Sequence, residues 1–413
     1  MRWMGVVACV WLWGQDTLYY RVEEVERLFL ERNLFLIAQK LRIEAERALV
    51  WQARLWPNPQ LTIDQVDIFT RAEGPLPPFL ETPRINQVAG NLSQTLLTAG
   101  KRLKGIALAE ASVRLQEAAF AELLRQLRKD LRLAVYGLVR DQMLLSLIAE
   151  QDRLLQALAG RYRSLSQSGV VPLPEYLRIE NLALQVQADL RLARQQWEEN
   201  QHVLRRFLHL QAPAPVIWID TVGLAVALAQ ELPPLDTLLG WAAGRPDVRL
   251  AKAQREYALR SLELEKALAI PNVDALVTYD RLGGYRFPQW GVGLSTALPV
   301  FHRNQGRILA ARKTLEAAQA ELEAVYQTAQ SEVIWAWRNL QVVRSQWEKT
   351  DLTLLQRYRQ AEAAYRENLL AGRVSFLAYV DFFQSYRDLV SKIADLGYAY
   401  QAAWNQLAYA TGR

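Results

Sequence analysis

A short two-faced strand that leads directly into a very long helix constrains the fold of this chain most. Residues 288–306 begin with alternating side chains, and the larger ones share one face: Trp290, Val292, Leu294, Thr296 and Leu298. The other face carries Gln289, Gly291, Gly293, Ser295 and Ala297. Pro299 ends the strand, and from Arg307 onward the sequence predicts about sixty helical residues. Such a strand is typical of a membrane-spanning barrel whose helices continue outside the membrane.

The same plan occurs twice along the chain. Each half reads as helix, strand, strand, long helix, turn and helix, and such self-similarity at half the chain length indicates duplication. The turns carry the clearest match, because Tyr162 and Tyr176 lie seven residues before and after Gly169, and Tyr365 and Tyr379 flank Gly372 in the same way. The predicted divisions are a first repeat at 15–211 with strands at about 60–69 and 85–96, a linker at 212–234, and a second repeat at 235–413 with strands at about 273–281 and 288–298.

Two predicted helices are too long for an ordinary globular domain. They run from Gly100 to about Ser168 and from about Asn304 to Ala371, and the first would reach on the order of 100 Å. Helices of this length are usual in coiled coils and extended bundles. A further helix is predicted from Arg21 to Trp56, with a mild interruption at Asn33. The expected class is therefore mainly α, with a small transmembrane β part.

The first fourteen residues are typical of a secretory signal peptide. Arg2 supplies a short positive start, Trp3 to Trp13 an apolar stretch, and Gly14 a small residue at the end. Cys9 is the single cysteine, so no disulfide framework is expected. Two alternatives stay open, in which the stretch is a buried strand or Cys9 carries lipid.

The sequence gives little support for an enzyme, a metal protein or a nucleic-acid-binding protein. The 49 basic and 43 acidic residues are interleaved along the helices, which predicts solvated helix faces and no nucleic-acid partner. His202, His209 and His302 do not group as metal ligands. No nucleophile elbow, phosphate-binding glycine loop or zinc-protease motif is present, so neither catalysis nor a cofactor is expected.

Four strands cannot close a barrel alone, and an open sheet edge cannot lie in lipid. Three identical chains would supply twelve strands, an even number that suits a pore. Aromatic residues near the strand ends are typical of the girdles at the two membrane surfaces. These residues are Trp56, Phe69, Phe79, Tyr279, Tyr285, Phe287 and Trp290.

Over nearly all of its length after residue 14, the chain resembles the TolC family of outer-membrane efflux channels. The motifs that carry the resemblance, besides the two Tyr–Gly turns, are Pro57-Asn58-Pro59, Arg245-Pro246-Asp247, Gly291 to Ser295 and Leu298 to Phe301. The resemblance implies a homotrimer with a twelve-stranded β-barrel in the outer membrane and a long α-helical barrel across the periplasm. It also implies a periplasmic adaptor that links the channel to an inner-membrane pump.

The resemblance further implies roles for particular residues at the periplasmic tip. Gly169, Val170, Gly372 and Arg373 would form the turns on which the adaptor docks. Asp381 and Glu175 match acidic positions that narrow the pore, and such rings attract cations. Ala378 and Arg178 depart from the family pattern, because a carboxylate is expected at the first and no cation at the second.

The function expected from the sequence is a passive exit duct for substrates delivered by the pump. The alternative is a periplasmic coiled-coil adaptor or a structural lipoprotein, which would explain the long helices and give Cys9 a purpose. That alternative does not explain four strands with one apolar face each. Cargo and the identity of the adaptor are not encoded in any motif of the chain.

Overall fold

The computed structural model describes residues 17–66, 88–210, 215–219, 232–281, 287–351, 353–371 and 373–413. The predicted signal peptide with Cys9, the loop Thr70–Pro83, the turn Gly283-Gly284-Tyr285 and Gly372 lie outside these residues. The described strands are β1 (Thr17–Tyr20), β2 (Gln60–Val66), β3 (Val88–Leu96), β4 (Val216–Ile219), β5 (Val273–Arg281) and β6 (Gln289–Thr296). The described helices are α1 (Val22–Arg32), α2 (Leu34–Arg54), α3 (Lys101–Gln167), α4 (Leu173–Phe207), α5 (Leu235–Ala242), α6 (Pro246–Leu268), α7 (Gln305–Glu348), α8 (Thr353–Leu370) and α9 (Phe376–Thr411).

The four strands predicted from the alternation form one antiparallel sheet in the order β2-β3-β5-β6. β5 has the predicted bounds, and β6 ends two residues before the predicted Leu298. In β2 the register shifts between Ile63 and Gln65, where the alternation of apolar residues is also interrupted. The predicted strand residues 67–69 and 85–87 lie outside the described residues.

The register places most of the larger apolar side chains of the four strands on one face, and Leu276 is an exception on the other face. Ile63 is opposite Gly90, which is opposite Tyr279, which is opposite Trp290. Directly opposed residues in an antiparallel sheet share a face, so the larger apolar residues of the neighbouring pairs lie on that side as well. The other face is polar, with the row Thr62, Asn91, Thr278 and Gly291. The two-faced character predicted for single strands therefore holds for the whole sheet.

A second, small sheet was not predicted from the sequence. β1 pairs in parallel with β4, a strand inside the predicted linker. Gln201 and Gln142 complete the pairing of β4, because each side-chain amide donates to and accepts from the backbone of one strand residue. Their partners are Ile217 and Ile219, both fully buried. Two glutamine side chains thus substitute for a neighbouring strand.

Two of the predicted helices are each divided in two. The predicted helix Arg21–Trp56 is broken at Asn33, whose extended backbone ends α1 and whose Oδ1 accepts hydrogen bonds from the N–H groups of Phe35 and Leu36. The prediction of one helix from Asn304 to Ala371 is also wrong. α7 ends at Glu348, and the carboxylate of Asp351 accepts from the backbone N–H and hydroxyl of Thr353 to cap α8. In both cases a polar side chain offers the backbone an alternative to the helical hydrogen bond.

The chain forms two compact units, each built from segments of both halves. The first unit comprises the chain up to Ala38, Ala121–Pro246 and Tyr326–Arg413, and the second comprises Gln39–Phe120 and Asp247–Val325. The four-stranded sheet belongs to the second unit. No described helix is both long enough and apolar enough to cross a membrane.

Candidate functional site

The predicted docking turn between α3 and α4 is a tight helix–helix turn closed by backbone hydrogen bonds. Gly169 has φ +76°, a left-handed conformation that glycine adopts without steric cost. The N–H of Val170 then donates to the carbonyl of Leu165 at 2.9 Å, which ends α3. Val170 is 68% exposed and Leu173 is also exposed, so the turn presents apolar side chains to its surroundings.

The turn between α8 and α9 repeats this arrangement. The N–H of Arg373 donates to the carbonyl of Asn368 at 2.8 Å, and these two residues lie 203 positions after Val170 and Leu165. Ser375 caps α9 by accepting from the N–H of Ala378 at 3.3 Å. The same hydrogen bond therefore recurs at the spacing that the two Tyr–Gly turns predicted.

The tyrosines that flank the two turns at the same spacing have a packing role. Tyr162 lies 6.4 Å from Phe376 between ring centroids, and Tyr365 stacks on Phe382 at 4.6 Å. Tyr379 is buried in the same apolar cluster, which joins residues of α3, α4, α8 and α9. Aromatic pairs of this kind add to the stability that their buried area supplies. The cluster therefore fixes the two turns relative to their helices.

Asp381 lies on the face of α9 that points away from this cluster. Tyr379, Phe383 and Tyr386 occupy the buried face, whereas Asp381 and Gln384 are exposed. Glu175 is exposed in the first turn of α4, where a negative charge is favoured by the helix dipole. Arg178 is exposed one turn later. Among the described residues, no hydrogen bond or ion pair joins Asp381 to Glu175.

Two ion pairs that sequence reasoning missed join the α3–α4 hairpin to the α8–α9 hairpin. Arg366 contacts Glu150 at 2.8 Å, and Arg387 contacts Asp189 at 2.7 Å. The partners are 216 and 198 positions apart, so no local pattern signals either pair. Both pairs are largely exposed, and exposed pairs contribute little to stability. The two pairs instead help to position the hairpins, because each pair joins a residue of one hairpin to a residue of the other.

A half-buried carboxylate lies beside the first of these pairs. The Tyr379 hydroxyl donates to Glu362 at 3.4 Å, and Arg366 lies 4.0 Å from the same carboxylate. Burial raises the pKa of Glu362, and the nearby Arg366 opposes that shift. Burial also raises the pKa of the Tyr379 hydroxyl, so this group stays protonated and acts as the donor.

The apolar face of the four-stranded sheet is exposed along its length. Val292 is 91% exposed, and Leu61, Ile63, Trp290 and Leu294 are each more than three-fifths exposed. Of the predicted girdle residues, Trp56 and Phe287 are also exposed, whereas Phe69, Phe79 and Tyr285 lie outside the described residues. A contiguous apolar surface of this kind marks contact with a membrane or a protein partner.

Within the described ranges, no group of three or more His, Cys, Asp and Glu side chains is placed to hold a metal ion. The His209 ring lies 6.0 Å from Phe35, and His202 and His302 are exposed on separate segments.

Part of the chain is similar to a known protein family, and most of the chain has a known fold. A sequence model described as "Outer membrane efflux protein" matches residues 241–413. The chain has the fold of CusC, with a TM-score of 0.71 at 17% identity, over 95% of this chain and 92% of that one. It also has the fold of the Campylobacter jejuni outer membrane channel CmeC, with a TM-score of 0.72 at 14% identity, over 95% and 85% of the two chains. Residues 241–413 are therefore similar to outer membrane efflux proteins.

A curated relative is similar to the chain over only part of its length. The pyoverdine export outer membrane protein OpmQ of Pseudomonas putida is 29% identical over 222 residues, which is 49% of this chain and 45% of OpmQ. The matched stretch therefore spans about half the length of that relative. The matching family model and the shared fold confirm the resemblance to TolC-type channels that the sequence motifs predict.

Proposed function

We propose that this protein is a passive exit duct in the outer membrane of a Gram-negative bacterium. A periplasmic adaptor would connect it to an inner-membrane pump, which supplies the energy. The proposal needs neither a cofactor nor a catalytic group, and it is supported by the match of residues 241–413 to a model of outer membrane efflux proteins.

The exposed apolar face of the four-stranded sheet is the observation that carries this proposal. The sheet has β2 and β6 at its edges, each paired on one side only. Unpaired backbone groups are too costly to leave in lipid, so a sheet that contacts lipid must be closed. Three copies would join β6 of one protomer to β2 of the next and close twelve strands. The apolar face would then contact lipid, and the polar face with Asn91 and Thr278 would line the lumen.

The roles of the tip residues extend the same proposal. Asp381 stands on the exposed face of α9, and Glu175 on the exposed start of α4, so both carboxylates are free to line a narrow pore. The exposed Val170, with Gly169 at the bend, offers an apolar contact for an adaptor hairpin. Gly372 and Arg373 would serve the matching turn of the second repeat.

The duct is tested by fractionating the membranes of a Gram-negative host that expresses the protein and measuring the mass of the detergent-extracted complex. A trimer in the outer-membrane fraction supports the proposal. A water-soluble periplasmic species would remove it and favour the coiled-coil adaptor.

Asp381→Ala is expected to raise single-channel conductance and to weaken block by multivalent cations in a planar bilayer. The substitution would remove three carboxylates from one ring, and such rings attract cations and repel anions. Glu321→Ala is the matched control, because Glu321 is an exposed carboxylate on α7 and belongs to the second unit, whereas the tip turns belong to the first. Conductance and block that stay unchanged in Asp381→Ala would show that Asp381 lies outside the constriction.

A further inference from the structure

The segment that joins β6 to α7 exposes three large apolar side chains within four residues. Leu298, Val300 and Phe301 are 78%, 59% and 92% exposed, and we call these residues the anchor loop. Its backbone is nevertheless held in place, because the N–H of Val300 donates to the carbonyl of Leu298 at 2.9 Å and the Gln305 amide donates to the carbonyl of Phe301 at 3.2 Å. Hydrogen bonds thus hold the backbone of this segment in place, while its three apolar side chains are largely exposed.

Arg303 lies in the same segment between β6 and α7, two residues after the anchor loop. Its Nε donates to the carbonyl of Pro299 at 3.1 Å, and its backbone N–H donates to Gln305 Oε1 at 2.8 Å. These bonds hold the guanidinium group close to the anchor loop, where it remains exposed. A cation is therefore fixed beside three apolar groups.

Positive charge gathers at the starts of both long helices. Residues 97–109 include Lys101, Arg102 and Lys104, and residues 297–315 include Arg303, Arg307, Arg312 and Lys313, with no Asp or Glu in either stretch. The first turns of α3 and α7 likewise contain no acidic residue. Helix dipoles favour acidic residues at this end, so these cations stand against the usual preference in both repeats.

One of these cations is buried, and the partly exposed Arg102 donates to the carbonyl of Arg54 at 2.8 Å. Lys101 is buried and its Nζ contacts Asn272 Oδ1 at 2.5 Å, which ties α3 to the start of β5. The remaining cations nearest the sheet are Arg102, Lys104, Arg303 and Arg307, which we call the junction collar. Arg102 lies over the ring of the exposed Trp56 at 5.1 Å, so the collar also holds an aromatic group at this level.

We propose that the anchor loop inserts into the phospholipid leaflet next to the helices and that the junction collar binds anionic lipid headgroups there. The proposal rests on the exit duct and adds a lipid partner to it. Leu298 continues the alternation of Val292 and Leu294 on the apolar face, so the loop extends the surface that would contact lipid. Aromatic and basic side chains together are usual at the surface of a membrane.

Charge favours lipid over a second protein surface as the occupant. An apolar protein partner would cover Phe301 but would leave the excess of positive charge unexplained, whereas an anionic leaflet satisfies both. Arg307 lies in the first turn of α7, within the polar surface layer of a bilayer. Arg312 and Lys313 lie about 8–9 Å farther along the helix, beyond that layer.

The test places a fluorophore on the anchor loop of the full chain in vesicles. A single cysteine is introduced as Phe301→Cys in a Cys9→Ser background and is labelled with an environment-sensitive dye. The vesicles contain equal phosphatidylglycerol and phosphatidylcholine, with a nitroxide quencher placed near the headgroup of one lipid or the other. We expect quenching by both lipids and severalfold more by phosphatidylglycerol, since each Arg near an anionic surface changes partitioning by about fivefold.

Two double variants test the collar. Arg303→Gln with Arg307→Gln is expected to abolish the preference for phosphatidylglycerol and to leave quenching by lipid in place. Arg312→Gln with Lys313→Gln removes the same charge farther along the helix and is expected to retain the preference. Equal loss in both variants would overturn the assignment of the headgroup site to the collar.

The outcomes separate this inference from the duct itself. Quenching by aqueous iodide and not by lipid would place the loop in water, and protection from both quenchers would place it under a second copy of the chain. Either result in a conducting trimer overturns the inference and leaves the duct intact. A labelled protein that does not enter the membrane as a trimer would instead count against the duct.

Discussion

Val292→Arg is expected to prevent most of the protein from accumulating as a folded trimer in the outer membrane. Val292 lies in the middle of β6, points to the apolar face and is 91% exposed. If that face contacts lipid, a central arginine would cost about 2–4 kcal/mol per protomer, and a trimer would incur this cost three times. The amount of heat-modifiable trimer in purified outer membranes measures the effect.

Thr278→Arg supplies the control at the same depth and on the opposite face. Thr278 follows Val277, the residue directly opposite Val292, and its side chain is exposed on the polar face. An arginine there would project into a water-filled lumen and is expected to leave the amount of trimer close to wild type. If both variants accumulate equally well, the apolar face does not contact lipid, and the coiled-coil adaptor becomes the better account.

Regular periodicity made most of the fold predictable. The strands β3, β5 and β6 alternate over eight or nine residues, and α3 runs for 67 residues with few helix breakers, so local pattern and tertiary structure agree. The family motifs then supplied the arrangement, which the similarity to CusC and CmeC supports at the level of the fold.

The hydrophobic pattern did not predict two helix breaks and one strand, because each of these depends on single polar residues. Asn33 and Asp351 break helices whose apolar period continues past them, because their side chains accept the first backbone N–H groups of the next helix. β4 depends on Gln142 and Gln201, which are 77 and 16 positions distant from the strand residues that they bond.

At the candidate site, too, the sequence predicted local features but not long-range contacts. The turns at Gly169 and Arg373 follow from local spacing, since their closing hydrogen bonds span five residues. The ion pairs Arg366–Glu150 and Arg387–Asp189 depend on how two hairpins pack, and a charged residue on a helix surface has the same sequence signature whether or not it finds such a partner. The pore roles of Asp381 and Glu175 stay predictions for the same reason, since they require neighbouring copies of the chain.

Arg245→Ala is expected to lower the free energy of unfolding of the first unit by about 2–4 kcal/mol. Arg245 is 1% exposed, and its guanidinium donates to the carbonyl of Ala410 at 3.0 Å and to Glu332 at 2.6 Å. The bond to Ala410 satisfies a carbonyl in the last turn of α9, where a positive charge is also favoured by the helix dipole. Removing the side chain leaves a cavity and buried acceptors with one donor fewer.

Gly412 ends the same helix, α9, and packs closely against the backbone of Arg245. Its φ of +77° is left-handed, and a Cβ there would lie 3.2 Å from the Arg245 Cα and the Pro246 Cδ. Arg245→Lys keeps the charge but cannot reach both acceptors with a planar group, so an intermediate loss is expected. Arg249→Ala is the control, because Arg249 is exposed one turn farther along α6 and should change stability by no more than about 0.5 kcal/mol.

Thermal unfolding of the detergent-extracted protein, followed by circular dichroism, ranks the three variants. The order Arg249→Ala, Arg245→Lys, Arg245→Ala, from least to most destabilised, would show that Arg245 stabilises the fold through the carbonyl end of α9. If Arg245→Lys matches wild type, charge alone accounts for the effect and the planar geometry does not. If Arg245→Ala unfolds with wild-type stability, the end of α9 is held by other contacts, of which the bond from Arg125 to the carbonyl of Tyr409 at 2.7 Å is the first to examine.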